Sequence, residues 1–124
     1  MAEKKEYKIG IIDDHVQSAI SLSNTLEYEG FKTFQAYNGE DAMKISKKEN
    51  PDIFIMDIRM KDGIDGYTLA KNLDKTKLLF TSGSAVDKKK IVGIKNIIGI
   101  VEKPINTDEV LKILRKELKI KVEE

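Results

Sequence analysis

An α/β fold built on a parallel sheet is what this 124-residue sequence predicts. Five short apolar runs rich in β-formers alternate with five segments of helical spacing. The two central runs, IGII and IFIM, are apolar at nearly every position, as strands are when helices cover both sheet faces. Polar groups gather at the carboxyl ends of the runs, where such folds build their sites.

The elements follow in order. Lys8–Ile12 reads as the first strand and runs into Asp13, Asp14 and His15. Val16, Ala19, Ile20, Ser23 and Leu26 then share one helical stripe, and Gly30 is its stop. Lys32–Ala36 is the second strand. The second helix starts near Asn38, turns Ala42 and Ile45 inward and must end before Pro51. Asp52–Met56 is the third strand, with Asp57 at its tip. A short third helix carries Leu69, Ala70 and Leu73. Lys77–Thr81 is the fourth strand, followed by Ser82 and Gly83. The fourth helix covers roughly Ala85–Ile94, with Ile91 and Val92 on it. Ile97–Glu102 is the fifth strand and leads to Lys103 and Pro104. In PINTDE, Asn106 or Thr107 caps the last helix, and Asp108 and Glu109 suit its positive end. Its stripe is Val110, Leu111, Leu114 and Leu118.

Composition narrows the function. The length fits one domain, and 40% apolar residues suffice for one core. Lys plus Arg number 22 against 21 Asp plus Glu, which argues against a general nucleic-acid binder. The absence of cysteine removes disulfides, thiol nucleophiles and thiolate metal sites, and it fits a soluble reducing compartment. MAEKKEYKIG has no apolar stretch of signal-peptide length, and no run approaches a membrane span.

Strands one, three, four and five all deliver polar groups to one sheet edge; the second ends blandly at Ala36 and Tyr37. Asp13, Asp14 and Asp57 converging there would repel unless a cation intervened. A hard oxygen cluster suits Mg²⁺, which shares its sphere with waters and phosphate oxygens. The ammonium of Lys103 and the hydroxyl of Thr81 are groups that hold a phosphoryl oxygen. Asp57 is then either a third ligand or a carboxylate nucleophile. Each residue alone has a plain explanation: an aspartate after a strand caps or turns, and His15 simply opens the next helix. Their joint arrival at one edge is what those explanations leave out.

The ordered set IIDDH, IFIMDIRM, LLFTSG and VEKPIN resembles the receiver domain of two-component response regulators, the fold of the small chemotaxis regulator. The resemblance runs from about Tyr7 to Leu118, so residues 1–124 read as one receiver domain with charged termini at 1–6 and 119–124. It implies a doubly wound, flavodoxin-like (βα)5 domain with strand order 2-1-3-4-5. It implies that Asp57 is the phosphoacceptor for a histidine kinase phosphohistidine. It implies Mg²⁺ held by Asp14, Asp57 and the backbone carbonyl of Arg59, with Asp13 acting through a water. Lys103 would pair with the phosphoryl group, Thr81 would hydrogen-bond it, and the Lys103–Pro104 bond would be cis.

Four departures qualify the resemblance. Lys61 stands where the family has proline, and Asp65 lies eight residues after Asp57, so the loop after the third strand is one residue longer, with Gly63 and Gly66 loosening it. Gly66 to Thr81 is 15 residues, which trims the third helix or its exit. Ile100 replaces the aromatic residue expected three before the lysine. This implies a different or weaker readout on the face of helix 4, strand 5 and helix 5. Arg59 and Gly83 occupy the two positions that tune dephosphorylation.

The reading is therefore a phosphorylation-dependent signalling switch, not an enzyme, that changes partner binding. Its partners would be a sensor histidine kinase and a downstream protein, without nucleic-acid or membrane binding by this chain. It would be cytoplasmic, and a monomer or weak dimer. A Mg²⁺-dependent phosphohydrolase on the same scaffold is an alternative, but it commonly needs an acid two residues after the nucleophile, where Arg59 stands. A flavodoxin-type flavin module needs a hydroxyl- and glycine-rich loop where DDHVQS is acidic. A pseudo-receiver that binds without phosphorylation would not need the intact acidic set.

Overall fold

The computed structural model describes residues 6–60, 65–83 and 85–120. Its strands are β1 (Lys8–Ile12), β2 (Lys32–Ala36), β3 (Ile53–Asp57), β4 (Lys77–Ser82) and β5 (Ile97–Glu102). Its helices are α1 (Val16–Tyr28), α2 (Gly39–Glu49), α3 (Gly66–Asn72), α4 (Lys88–Ile91) and α5 (Thr107–Leu118). The five strands form one parallel sheet in the order β2-β1-β3-β4-β5, the doubly wound, flavodoxin-like arrangement expected from the sequence.

Alternation along the strands divides the core into two layers. Ile9, Ile11, Ile53 and Ile55 turn to one face and meet Leu22 and Leu26 of α1 and Val110 and Leu114 of α5. Phe54, Met56, Leu78 and Phe80 turn to the other and meet Ala42, Leu69 and Ala70. All five residues of β3 are buried, so the strand has no face left for water. Gly10 is the small residue that this packing requires. It pairs in register with Phe54, and a Cβ there would meet the Phe54 ring at 2.3 Å.

Every described helix opens on a side-chain cap: His15, Asn38, Asp65, Asp87 and Asn106 each accept a backbone N–H from the first turn. α2 and α5 close on Asn50 and Lys119, both with positive φ, which satisfies their last carbonyls. β2 lies at one margin of the sheet, where the ammonium groups of Lys8 and Lys32 stand 5.9 and 5.7 Å from the Phe34 ring.

Three boundaries differ from expectation. β3 is shifted by one residue, so Asp57 is its last member rather than the residue after it. The cause is its register: Asp57 pairs with Thr81 of β4. β4 runs one residue further than expected, to Ser82, which pairs with Glu102 of β5. α3, at seven residues, shows the trimming that the short spacing between Gly66 and Thr81 predicts. The fourth helix shrinks to one turn over Lys88–Ile91. From the stretch Ala85–Ile94, Val86, Ile91 and Ile94 reach the core, and Ile94 does so through a turn, its amide bonded to the Ile91 carbonyl at 2.8 Å. Val92, expected on the helix, is its cap residue and is 83% exposed.

Candidate functional site

β1 and β3 lie side by side, and their carboxyl ends carry Asp13 and Asp57. Both are buried, Asp14 half-buried, and the three offer carboxylate oxygens that all lie within 4.8 Å of one another. β4 brings Thr81 into register with Asp57, and β5 ends just before Lys103. The ammonium Nζ of Lys103 donates to Asp57 Oδ2 at 2.8 Å and lies 3.7 Å from Asp13 Oδ2. Four strand ends thus form one charged pocket whose only cation among the described contacts is Lys103.

The backbone fixes these groups. Asp57 Oδ1 accepts the Arg59 amide at 3.0 Å, and Asp13 Oδ1 accepts the His15 amide at 2.9 Å. The Ile58 amide donates to the Thr81 carbonyl at 3.1 Å, and the Lys103 amide to the Ser82 carbonyl at 2.8 Å, so the ladder continues past the strand ends. The Lys103–Pro104 bond is cis. Gly66, which opens α3, donates its amide to the Ile58 carbonyl at 2.8 Å, and a Cβ on it would fall 2.5 Å from that oxygen. The loop after β3 is therefore pinned at both described ends. Lys61 and Gly63, which carry the expected insertion, lie outside the described residues.

Charge and burial act against each other here. Burial pushes the Asp13 carboxyl above its ordinary value; the His15 amide and Lys103 pull it back, and Asp57 and Asp14 push it up further. Burial would lower the Lys103 ammonium, but the hydrogen bond to Asp57 and the charges of Asp13, Asp57 and Asp14 outweigh it and raise it. A cluster of hard oxygen donors that destabilises its own ionised form fits a divalent cation such as Mg²⁺.

The remaining expected residues surround this centre. Thr81 is buried at 2% exposure. The Arg59 side chain is exposed beside the pocket. Gly83 lies against the Lys103 stem, where a Cβ would be 3.9 Å from Cδ, an ordinary contact. Ile100 pairs with Phe80, faces the α4 side and is 38% exposed, because one turn of helix covers little of β5. His15 caps α1, its Nδ1 accepting from the Ser18 amide at 3.3 Å. A contact between Tyr67 and Asp87 beside the pocket was not foreseeable, since it joins residues 20 apart through tertiary structure.

Known proteins resemble this chain in sequence and in fold. The profile of the response regulator receiver domain matches residues 9–115. The chain is 29% identical to sporulation initiation phosphotransferase F of Bacillus subtilis, over 92% of this chain and 95% of that protein. It is 30% identical to the regulatory protein VanRc of Enterococcus gallinarum, over 90% of this chain but half of that protein. The CheY-like receiver domain protein from Methanospirillum hungatei superposes with a TM-score of 0.85 at 21% identity, covering 93% of this chain and 95% of that one, which is a likeness of fold.

Proposed function

Because the chain belongs to the response regulator receiver domain family, we propose that it is a phosphorylation switch whose acceptor is Asp57. The observation that carries this is the 2.8 Å contact from Lys103 Nζ to Asp57 Oδ2 inside a buried acidic cluster. A nucleophilic carboxylate needs one oxygen held and a fixed cation for the charge that spreads over the incoming phosphoryl oxygens. Asp57 has both, with Arg59 N–H on Oδ1 and Lys103 beside Oδ2.

In the proposed step a carboxylate oxygen of Asp57 attacks the phosphorus of a histidine kinase phosphohistidine. An O–P bond forms, the P–N bond breaks, and its electron pair stays on the imidazole nitrogen, which takes up a proton. The product is an acyl phosphate. Asp14, Asp57 and the Arg59 carbonyl would hold Mg²⁺, with Asp13 behind a water. The ion would supply charge neutralisation between carboxylates and phosphoryl oxygens. Lys103 then pairs with a phosphoryl oxygen, and the Thr81 hydroxyl hydrogen-bonds another. Arg59 and Gly83 flank the acyl phosphate and set its access to water.

The consequence is a change in protein-partner binding on the α4–β5–α5 face, not turnover of a substrate. The chain acts in the cytoplasm as a single receiver domain, a monomer or weak dimer, without contacting nucleic acid or membrane; among the described residues no helix is long and apolar enough to cross a membrane. The test is incubation of the purified chain with a small acyl-phosphate donor, with and without Mg²⁺, followed by intact-mass measurement. One added phosphoryl group in wild type, dependent on Mg²⁺ and lost in Asp57→Asn, is expected. Labelling that persists in Asp57→Asn would remove Asp57 from the role.

A further inference from the structure

We propose that Tyr67 is the positioning residue that ties the start of α4 to the Asp57 site, so that a charge change at Asp57 reaches α4 through α3. The coupling half of this rests on Asp57 being the phosphoacceptor.

The contacts form a continuous path. Asp57 Oδ1 holds the Arg59 amide at 3.0 Å. The intervening residue, Ile58, accepts the Gly66 amide at 2.8 Å, which seats the first residue of α3 directly beside the acceptor. The next residue is Tyr67. Its hydroxyl oxygen accepts the Asp87 amide at 2.9 Å. Asp87 in turn caps α4, its Oδ1 accepting the Lys89 amide at 3.0 Å. Lys90, on that same turn, stands 5.4 Å from the Tyr67 ring centre. The ring also meets Phe80 edge-on at 6.2 Å, and Phe80 immediately precedes Thr81.

Two observations make this tie more than one surface hydrogen bond. A cavity of about 410 Å³ separates the loops after β3 and β4, lined by Arg59, Tyr67, Ser82, Asp87 and Lys90 among others, so the Tyr67 ring packs against the core while the residue also lines the open space between the two loops. α4 itself is four residues long and buries none of them. An element whose apolar anchor is the half-buried Ile91 is placed largely by its polar ties, and it is the kind that shifts at low cost. With Ile100 in place of an aromatic on β5, the aromatic side chain that meets both the strand of Thr81 and α4 is Tyr67.

The experiment is amide exchange and ¹H–¹⁵N NMR on the full chain, wild type and Tyr67→Phe, with and without Mg²⁺ and beryllofluoride as the phosphoryl mimic. Phenylalanine keeps the ring and its contacts with Phe80 and Lys90, and thermal unfolding checks that the fold is intact. We expect the Asp87 amide to exchange about fivefold to tenfold faster in Tyr67→Phe, the equilibrium equivalent of one net hydrogen bond. The beryllofluoride-induced shifts of Lys88–Val92 should collapse in the variant while those of Asp57 and Lys103 remain. Unchanged exchange at Asp87, or α4 shifts that survive in Tyr67→Phe, overturns this inference alone. A wild type that shows no response at Asp57 and Lys103 overturns the phosphoacceptor reading, and the coupling falls with it.

Discussion

α5 and α4 flank the same edge strand, β5, and are held by different physics. α5 runs for twelve residues, buries Val110, Leu111 and Leu114, and is capped by Asn106 on two amides. Its charges follow the helix dipole, with Asp108 and Glu109 in the first turn and Arg115 and Lys116 in the last. Arg115 also reaches Glu29 of the α1 C-cap at 3.1 Å. α4 has one turn, no buried residue, three consecutive lysines and a cap that is itself tethered to Tyr67. One side of β5 is therefore fixed by burial, and the other is placed by directional bonds that can be exchanged. A surface that must be stable and also responsive is well served by that division.

The comparison breaks most sharply at Leu114. Its full burial predicts that Leu114→Ala costs about 3 kcal/mol in urea unfolding, by transfer and cavity losses together. A loss as small as that of a surface substitution would show that α5 is not the burial-fixed side. Next comes capping: Asn106→Ala should cost about 1 kcal/mol. Asp87→Ala should change global stability much less, because α4 has no fully buried residue, while it speeds amide exchange at Lys89.

The site between the helices sharpens the contrast through charge. Asp13 is raised by burial and its acidic neighbours, so the folded state holds its proton to higher pH than the unfolded chain does. Stability therefore falls as pH climbs from about 4 through the raised value. Asp13→Asn should lift the melting temperature at neutral pH without Mg²⁺, and added Mg²⁺ should narrow the gap. Lys103, raised by Asp57 and its neighbours, gives stability that is complete below the ordinary lysine value and disappears as pH rises through its own. Thermal unfolding above about pH 10 should show that loss as a falling melting temperature, and the fall should be smaller in Lys103→Met. The smallest effect is at Val92, 83% exposed, where alanine should shift stability by less than about 0.5 kcal/mol.

Most of the sheet was legible because each strand is a short apolar run bounded by a polar tip, and Asp57 stood out as an acid at the end of IFIM. The gathering of Asp13, Thr81 and Lys103 was legible for the same reason: parallel strands bring their carboxyl ends to one edge. What failed was α4. Lys88-Lys89-Lys90-Ile91 has helix formers, and the apolar residues from Val86 to Ile94 imitate a stripe, yet Val86 and Ile94 reach the core from outside the observed helix and Ile91 is only half-buried on it. Periodicity reports a face; it does not report whether a partner surface exists to cover it. The end of β3 slipped by one because register with Thr81, a long-range property, decides it. The Tyr67–Asp87 bond had no local signal at all, since one end lies in the first turn of α3 and the other at the cap of α4.

The open margin of the sheet at β2 has a consequence for colloidal behaviour. An uncovered strand edge with an apolar ring invites another chain to add a strand. Here Lys32, exposed on β2 itself, holds its ammonium 5.7 Å from the Phe34 ring, so a strand approaching this margin must strip that group of water before it can pair. With a net charge of only +1 to keep molecules apart, this lysine is a local safeguard against fibrous assembly.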